Sequence, residues 1–392
     1  MQLGRLTAGL LAFALASTLG PRASRADGSN VTTRGSMEVA AYRDSVAVNV
    51  LTPSAGLTVE SPTAGWGLNG RYLVDVVSAA SPDIVATASP NWVEIRHAGS
   101  VGGRYKPDTF GVAVNGSASY TPDYLSLGAS GQVTQDLDDK NLTLLAGYGF
   151  GHDTIGRTGT PFSVFSRTLD YHSVTAGLSR VVNAGLVLGL YGDAIFENGD
   201  QSKPYRYVPM FLPADANALG RGASVEEVVS KRIAARPLEQ LPLSRQRFAV
   251  TGRLAWRFES TTLRIDERGY TDSWGLHAST TDLRYLVDLS ERVTIWPHLR
   301  VHVQNGVSFW QRAYAATSAA DLPALRTGDR ELGPLSNLGL GAGLRLSLGK
   351  AGAVDDFVWT TTLDGTWTSF ADALYVKDRF AGLVASGLEV VF

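Results

Sequence analysis

Cysteine is absent from all 392 residues of the chain, and this absence excludes several classes of protein. Without thiols there is no disulfide framework, no thiolate-bound metal and no lipid attached to an N-terminal cysteine. A strong charge of one sign is also lacking, since 35 Lys and Arg stand against 37 Asp and Glu. No basic field indicates binding to nucleic acid, and we expect no nucleic-acid partner.

Long hydrophobic runs are equally scarce. One run, Leu6 to Leu19, follows Arg5 and precedes small residues at Ser24 and Ala26. This arrangement is typical of a secretory signal peptide, so we predict that residues 1–26 are a signal peptide that is cleaved from the exported chain. Beyond it, no stretch approaches the roughly 18 apolar residues that a transmembrane helix requires. An exported chain of this kind is soluble, secreted or a membrane β-barrel.

What the sequence does contain is alternation of apolar and polar residues along most of its length. From Leu338 to Leu348, every second residue is Leu or Ala, and the residues between are Gly, Arg and Ser. A period of two is typical of β-strands with one apolar face. About sixteen segments follow this pattern, an even number that bacterial outer-membrane barrels share. The predicted fold is an all-β, antiparallel up-and-down transmembrane β-barrel of about 16 strands, with 14 to 18 compatible with the pattern.

The lengths of the connections between these segments favour the same fold. When the last segment ends in the periplasm, connections on that side are short turns and every long connection falls on the other side. Outer-membrane barrels have short periplasmic turns and long extracellular loops, whereas a soluble β-sandwich has no reason for this asymmetry. We predict that residues 27–392 form one barrel in the outer membrane of a Gram-negative bacterium. Its long extracellular loops are 78–93, 151–168, 197–245 and 305–333.

The chain ends in an alternating segment that places Leu388, Val390 and the terminal Phe392 on one face. A terminal aromatic residue on such a strand resembles the signal that the barrel-assembly machinery recognises. We therefore expect that machinery as a partner, together with outer-membrane lipid and lipopolysaccharide. Aromatic residues near segment ends predict interfacial girdles. These residues are Trp66, Trp256, Phe258, Trp274, Trp296 and Trp359.

Charged residues occupy the polar faces of the segments between residues 185 and 347. A charge in lipid near the midplane costs roughly 2–4 kcal/mol, so these side chains are predicted to line the lumen. Such residues set the electrostatics of a pore and bind polyanionic or sugar solutes, or they pair with one another and fill a polar interior. The excess of Arg favours anions. The predicted pore-lining residues are Asp193, Glu197, Arg247, Arg253, Arg257, Arg264, Asp266, Arg268, Asp282, Arg284, Arg300 and Arg345.

The longest loop, 197–245, carries further candidate residues. Ser224 to Glu227 form a capping-box pattern that predicts a short helix inside it. Long ordered loops are commonly lids or constrictions, so we predict a gate or binding loop. A surface loop that only packs on its neighbours is the alternative. The candidate gate residues are Lys203, Tyr205, Arg206 and Tyr207.

Residues suited to catalysis or metal binding are few. His298 and His302 share a strand face but lie about 13 Å apart along the strand, too far to hold one metal ion. His277 and Ser279 also share a face, at about 6.6 Å, although a catalytic dyad requires a hydrogen bond of about 3 Å. We expect no enzymatic activity, no cofactor and no metal site.

Several longer strings resemble an uncharacterised family of bacterial outer-membrane barrels, domain of unknown function 3570. The strings are Tyr72–Ser81, Ile84–Ser89, Thr160–Arg167, Glu197–Asp200, Arg236–Pro242 and Tyr270–Trp274. The resemblance spans nearly the whole mature chain and implies the fold and the location. Some similar barrels look like outer-membrane partners of exopolysaccharide secretion systems, so the resemblance also implies kinship with those systems.

The predicted function is a pore or export conduit across the outer membrane for polysaccharide or other polar or anionic solutes. Periplasmic polysaccharide-export proteins are then expected partners. The rival prediction is a closed, non-conducting barrel that serves as a structural or assembly partner of an exopolysaccharide secretion complex. An outer-membrane enzyme is a distant third.

Overall fold

Eighteen β-strands and two short helices make up the computed structural model, which describes residues 31–79, 92–202, 204 and 206–392. The predicted signal peptide and residues 80–91 lie outside the described residues. The strands are β1 (Thr32–Asp44), β2 (Val48–Ser61), β3 (Trp66–Ala79), β4 (Trp92–Tyr105), β5 (Phe110–Thr121), β6 (Tyr124–Leu137), β7 (Leu142–Ile155), β8 (Arg167–Asn183), β9 (Leu186–Gly199), β10 (Met210–Phe211), β11 (Ser244–Arg257), β12 (Thr261–Asp272), β13 (His277–Ser290), β14 (Val293–Gln304), β15 (Tyr314–Ala315), β16 (Leu335–Ala351), β17 (Val354–Phe370) and β18 (Asp378–Val391).

Sixteen of these strands form one closed antiparallel barrel, which confirms the predicted fold. Each barrel strand pairs with the barrel strands before and after it in the chain, and β1 pairs with β18, with Gly35 opposite Val390. The barrel strands are 12 to 17 residues long, more than the 9–11 or so that suffice to cross a bilayer. Closure leaves no strand edge with unpaired backbone groups in lipid.

The two ends of the barrel differ as the sequence predicts. Seven turns of two to four residues connect the strands at one end. The long described loops, 156–166, 200–243 and 305–334, all lie at the other end. The predicted loops 78–93, 151–168 and 197–245 were too long, because the strands continue past the lipid belt. Outside lipid the alternation no longer needs to be apolar, but the ladder hydrogen bonds still form.

The remaining elements belong to the extracellular loops. β10 pairs in parallel with β15, outside the barrel sheet. Helix α1 spans Pro213–Ala218, and helix α2 spans Val225–Lys231. The Ser224 side chain accepts a hydrogen bond of 3.1 Å from the backbone N–H of Glu227, so the predicted helix and its N-cap are confirmed. Among the described residues, no helix is long and apolar enough to cross a membrane.

The predicted aromatic girdles are only partly correct. Trp256 and Trp359 lie on the outward face near the turn end of their strands, and the Trp256 and Phe258 rings are 4.8 Å apart. Trp274 instead is buried in the connection after β12, where its ring packs edge-on against Phe309. Trp296 faces inward, with its ring against Gly343. The prediction was wrong for Trp274 and Trp296 because proximity to a strand end does not fix which side a ring faces.

Glu267 interrupts the apolar outer face of the barrel. Its carboxylate accepts hydrogen bonds from the hydroxyls of Ser279, at 2.7 Å, and Thr281, at 2.5 Å, all on the outward face of β12 and β13. Nearby on the outward face, the neighbouring strands present the exposed apolar residues Val250, opposite Gly269, and Val301, opposite Thr281. Glu267 is therefore a carboxylate inside the lipid belt, with two hydroxyls in place of water.

We expect Glu267→Leu to stabilise the barrel by up to about 2 kcal/mol, because it removes a charge from the lipid-facing surface. Urea unfolding in lipid vesicles measures the change. Glu389→Leu is the matched control, since Glu389 lies on the inward face of β18 and should gain nothing. Equal or lower stability of Glu267→Leu would show that the carboxylate is not in contact with lipid.

Candidate lumen and extracellular cap

The strand register assigns each barrel side chain to the lumen or to the lipid. Residues directly opposite in neighbouring strands point to the same side of a sheet, so one inward residue identifies its neighbours around the barrel. Arg253, Asp266, Asp282 and Arg300 are opposite one another in turn across β11 to β14. Many residues of the other parity, such as Leu340, are large, apolar and exposed. All twelve predicted pore-lining residues have inward parity.

Most of these twelve residues make ion pairs along the wall. The N–O distances are 3.0 Å for Arg247–Glu197, 3.1 Å for Arg268–Asp193, 3.5 Å for Arg253–Asp266, 2.6 Å for Arg257–Asp288, and 3.4 Å for both Arg284–Asp282 and Arg300–Asp282. Among the described residues, Arg264 and Arg345 have no carboxylate within ion-pair distance. Pairing therefore holds much of the wall in place but leaves a surplus of guanidinium groups.

Half of the lumen wall was missed by the sequence reasoning. The inward acids of β1–β8 outnumber the inward bases, whereas the inward bases of β9–β16 outnumber the acids. On β1–β8 the acids are Glu38, Asp44, Glu60, Asp75, Glu94, Asp136 and Asp153, and the bases are Arg34, Arg71, Arg96, Arg104 and Arg167. On β9–β16 the acids are Asp193, Glu197, Asp266, Asp272, Asp282 and Asp288, and the bases are Arg245, Arg247, Arg253, Arg257, Arg264, Arg268, Arg284, Arg300 and Arg345.

We call the inward face of β9–β16 the Arg-rich wall and that of β1–β8 the acid-rich wall. On the acid-rich wall, Glu60 binds both Arg34, at 3.1 Å, and Arg104, and it is almost fully buried between them. Alternation counted outward from Glu60 along β2 could have revealed this wall in the sequence. The lumen is therefore more negative along the acid-rich wall and more positive along the Arg-rich wall.

Aromatic rings lie flat against glycines on the inward face. A Cβ added to Gly343 would stand 2.0 Å from the Trp296 ring, and one added to Gly151 would stand 1.9 Å from the Tyr171 ring. Tyr191 covers Gly177 in the same way, and the Arg253 guanidinium lies 4.8 Å above its ring. These glycines therefore let large rings lie along the wall, where they line the lumen without filling it.

Loops 200–243 and 305–334 fold together into one unit, which we call the cap. The parallel pairing of β10 with β15 joins the two loops. Two apolar clusters fill the cap. One includes Phe211, Leu219 and Val228, and the other includes Met210 and Tyr314. Loop 200–243, which contains the predicted gate residues, therefore shares its core with loop 305–334, and its role as a gate stays a prediction.

A buried polar network also links the two loops of the cap. Arg206 forms an ion pair with Asp329 and lies 3.9 Å from the Glu239 carboxylate. Glu239 accepts a 2.5 Å hydrogen bond from the Thr327 hydroxyl, and the Thr327 backbone N–H donates to the Tyr314 hydroxyl at 2.9 Å. Burial raises the pKa of the Tyr314 hydroxyl. The network fixes loop 200–243 to loop 305–334.

The other candidate gate residues are less fully defined. Tyr207 forms a backbone bridge with Leu238 inside loop 200–243. Lys203 and Tyr205 lie outside the described residues. Of the two described candidates, Arg206 is the one whose side chain links the two cap loops, through its ion pair with Asp329.

The cap is anchored to inward residues at the extracellular ends of the strands. The Gln304 amide donates 2.8 Å hydrogen bonds to the carbonyls of Glu331 and Gly333, and Arg379 forms a 2.8 Å ion pair with Glu331. Arg221 donates to the Phe370 carbonyl at 2.5 Å. These contacts attach the cap to β14, β17 and β18, so it lies over the mouth beside the Arg-rich wall.

The histidines considered for catalysis have other partners. His277 Nδ1 lies 3.0 Å from the Thr271 hydroxyl, while Ser279 donates to Glu267, so these two residues do not form a nucleophile–base pair. His298 lies between Asp282 and Asp364, with N–O distances of 2.9 and 2.6 Å. His302 Nδ1 lies 2.7 Å from the Thr280 hydroxyl. Within the described ranges, no three potential metal ligands group together.

The chain end lies where the barrel closes. Leu388, Val390 and Phe392 have outward parity, and the Leu388 and Phe392 side chains are exposed. Backbone hydrogen bonds join Phe392 and Thr33 in both directions, at 2.8 and 3.2 Å. The terminal strand is therefore part of the closed barrel, and its role as an assembly signal stays a prediction.

Residues 168–356 match the family model described as Protein of unknown function (DUF3570). This segment is similar to that family. The match covers just under half of the chain and runs from β8 to the start of β17. The matched segment therefore includes the Arg-rich wall and both cap loops. No curated protein matches the sequence.

Solved structures resemble the barrel at low sequence identity. CdiB from Acinetobacter baumannii is 8% identical, with a TM-score of 0.50 over 93% of this chain and 60% of that chain. A mutant ferric enterobactin receptor (PfeA) from Pseudomonas aeruginosa is 12% identical, with a TM-score of 0.44 over 90% of this chain and 59% of that chain. A structure described as a bacterial polysaccharide outer membrane secretin is 10% identical, with a TM-score of 0.44 over 93% of this chain and 99% of that chain.

The chain spans about 60% of the length of the CdiB and PfeA chains. At such low identity, the likeness shows the fold alone. That fold is the outer-membrane type of β-barrel.

We expect Arg206→Met to loosen the cap and leave the barrel intact, because it leaves the Glu239 and Asp329 carboxylates without this guanidinium. Breaking a buried pair costs about 3 kcal/mol, so amide protection of the cap should fall roughly 100-fold in hydrogen exchange. Lys231→Met is the matched control, since it removes only a 3.5 Å pair with Glu227 on the surface of α2. Unchanged protection in Arg206→Met would mean that the apolar clusters alone hold the cap.

Proposed function

We propose that the protein is a conduit across the outer membrane for polar and anionic solutes, including polysaccharide. The observation that carries this proposal is the surplus of guanidinium groups along the Arg-rich wall. Arg253, Arg284 and Arg300 have side chains about half exposed, at 55%, 48% and 49%, although they lie on the inward face. Water therefore reaches the wall, and a hydrated solute has access to the same groups.

The wall can guide an anion without holding it too tightly. Ion pairs with Asp193, Asp266 and Asp282 fix the guanidinium groups in position, which removes the entropic cost of ordering them around each solute. The same carboxylates weaken the attraction for a passing anion, and conduction requires sites that a solute can leave. The acid-rich wall repels the anion from the other side and keeps it on the Arg-rich wall.

The cap is the gate in this proposal. It lies over the mouth beside the Arg-rich wall and is tied to β14, β17 and β18 at their extracellular ends. Opening requires the contacts made by Gln304, Arg221 and Arg379 to break, while the apolar clusters and the network around Arg206 keep the cap folded. A hinged cap thus fits the contacts better than an unfolding loop.

The location and partners follow from the same proposal. The mature chain, after removal of residues 1–26, resides in the outer membrane among lipid and lipopolysaccharide. The barrel-assembly machinery inserts it through the terminal strand with Leu388, Val390 and Phe392. Periplasmic polysaccharide-export proteins deliver the solute, and the protein is not an enzyme.

One observation favours a second candidate, a non-conducting barrel that is a structural partner of a secretion complex. The cap covers part of the mouth, and ten of the predicted lumen residues are tied up in ion pairs. A barrel of this kind would stay closed even without its cap.

Planar-bilayer recording separates the two candidates. We expect stepwise conductance from the purified protein, and larger or more frequent steps when residues 208–236 are replaced by a short Gly-Ser linker. The linker removes β10 and both helices, which form much of the cap core. A barrel that stays silent with and without this segment would exclude the conduit and favour the structural role.

Ion selectivity provides a second measurement. The reversal potential in a salt gradient should show a preference for anions. Arg264→Gln with Arg345→Gln should reduce this preference severalfold, because neither guanidinium group has a carboxylate within ion-pair distance among the described residues. Arg180→Gln is the matched control, since Arg180 lies on the outward face near a turn and pairs with Asp138. Equal selectivity in all three proteins would mean that the Arg-rich wall does not govern permeation.

A further inference from the structure

We propose that the Arg-rich wall contains a binding subsite for one acidic sugar unit, formed by Arg264, Arg284 and the indole of Trp296. The inference rests on the proposed conduit function and names the chemistry of its solute, a saccharide that carries a carboxylate. Three features of the wall support it: two opposed guanidinium groups, a shared counter-ion, and an aromatic ring that lies flat beside them.

Arg264 and Arg284 lie directly opposite each other on β12 and β13. Side chains in such pairs start about 5 Å apart, and like charges there destabilise the sheet. Arg264 is exposed, and within the described residues it has neither an ion pair nor a side-chain hydrogen bond. An anion placed between the two groups would remove the repulsion, so this pair is suited to hold one.

The nearest carboxylate does not neutralise this region. Asp282 lies 3.4 Å from the guanidinium nitrogens of both Arg284 and Arg300, and it is also 2.9 Å from His298 Nε2. Asp282 thus faces two guanidinium groups, and it shares the imidazole with Asp364, which lies 2.6 Å from His298 Nδ1. Within the described residues, Arg264 has no carboxylate at ion-pair distance. The net charge of this part of the wall remains positive, which favours an external carboxylate as a further partner.

Trp296 supplies an apolar surface next to these charges. It is the next inward residue before His298 on β14, and His298 is opposite Arg284. Consecutive inward positions are about 6.6 Å apart, which is close to the width of one sugar ring. Because Gly343 has no side chain, the indole lies flat against β16 with its other face toward the lumen.

These groups match the chemistry of an acidic sugar. A planar carboxylate accepts paired hydrogen bonds from guanidinium groups, and these charge-assisted bonds are stronger than neutral ones. The C–H face of the sugar ring would pack on the indole while its hydroxyls remain in the water of the lumen. A neutral sugar would lose the hydrogen bonds to the guanidinium groups, and a small inorganic anion would lose the packing on the indole.

Isothermal titration calorimetry on the full-length protein in detergent tests the subsite without requiring conduction. The probes are trigalacturonate, neutral maltotriose and sulfate. We expect trigalacturonate to bind most tightly, with affinity that falls as salt rises. Arg264→Gln and Arg284→Gln should each weaken it about tenfold, the effect of losing one charge-assisted hydrogen bond.

Two further variants complete the test. Trp296→Leu should weaken trigalacturonate binding and leave sulfate binding unchanged, whereas Arg180→Gln on the outward face should bind like the wild type. Slower migration on a denaturing gel after boiling checks that each variant forms a barrel. Equal affinity for trigalacturonate and sulfate, or no loss in Arg264→Gln, would overturn the subsite.

The subsite and the conduit can fail separately. Binding that depends on Arg264 in a protein silent in bilayers would support the subsite and exclude the conduit. Conductance without any difference between trigalacturonate and maltotriose would support the conduit and exclude the subsite.

Discussion

The alternation of side chains along each strand is the constraint on which the rest of the structure depends. Successive residues point to opposite faces, so a strand between lipid and water must place apolar and polar residues in strict turn. Closure extends this constraint around the ring, because Gly35 opposite Val390 joins the first strand to the last with the parity intact. A shift of one residue at any seam would move charges such as Asp282 into lipid.

The same constraint explains how the lumen is organised. Charged side chains at inward positions cost little free energy, because they contact water and one another. Acids outnumber bases on the acid-rich wall, and bases outnumber acids on the Arg-rich wall. On β11 to β14, cross-strand pairs such as Arg253–Asp266 fix the side chains, while Arg264 makes no ion pair within the described part of the chain. Glycines opposite large rings, such as Gly343 beneath Trp296, keep the lumen from being filled. The charged side chains of this wall are therefore held in fixed positions and still contact water in the lumen.

Local periodicity made the strands, their number and the sorting of the loops predictable from the sequence. Other features depend on residues far apart in the chain, which periodicity cannot bring together. Arg206 and Asp329 are separated by 123 residues, and their contact makes the two loops one cap. Glu267 has the parity of a lipid-facing residue, but only the register shows that Ser279 and Thr281 surround its carboxylate. Trp296 has the aromatic character of an interfacial residue, but it shares the parity of His298 and therefore faces the lumen.

The position of the cap connects these features to function. The cap is formed by the long loops of the Arg-rich wall. It is attached to the inward residue Gln304 on β14 of that wall and to the inward residue Arg379 on β18. A plug held by lipid-facing or turn residues would be independent of the lumen charges. Here the residues that anchor the cap belong to the strand faces that line the lumen. In the conduit that we propose, a solute bound to the wall near the mouth would compete with the cap for this surface, and its entry would be coupled to release of the cap.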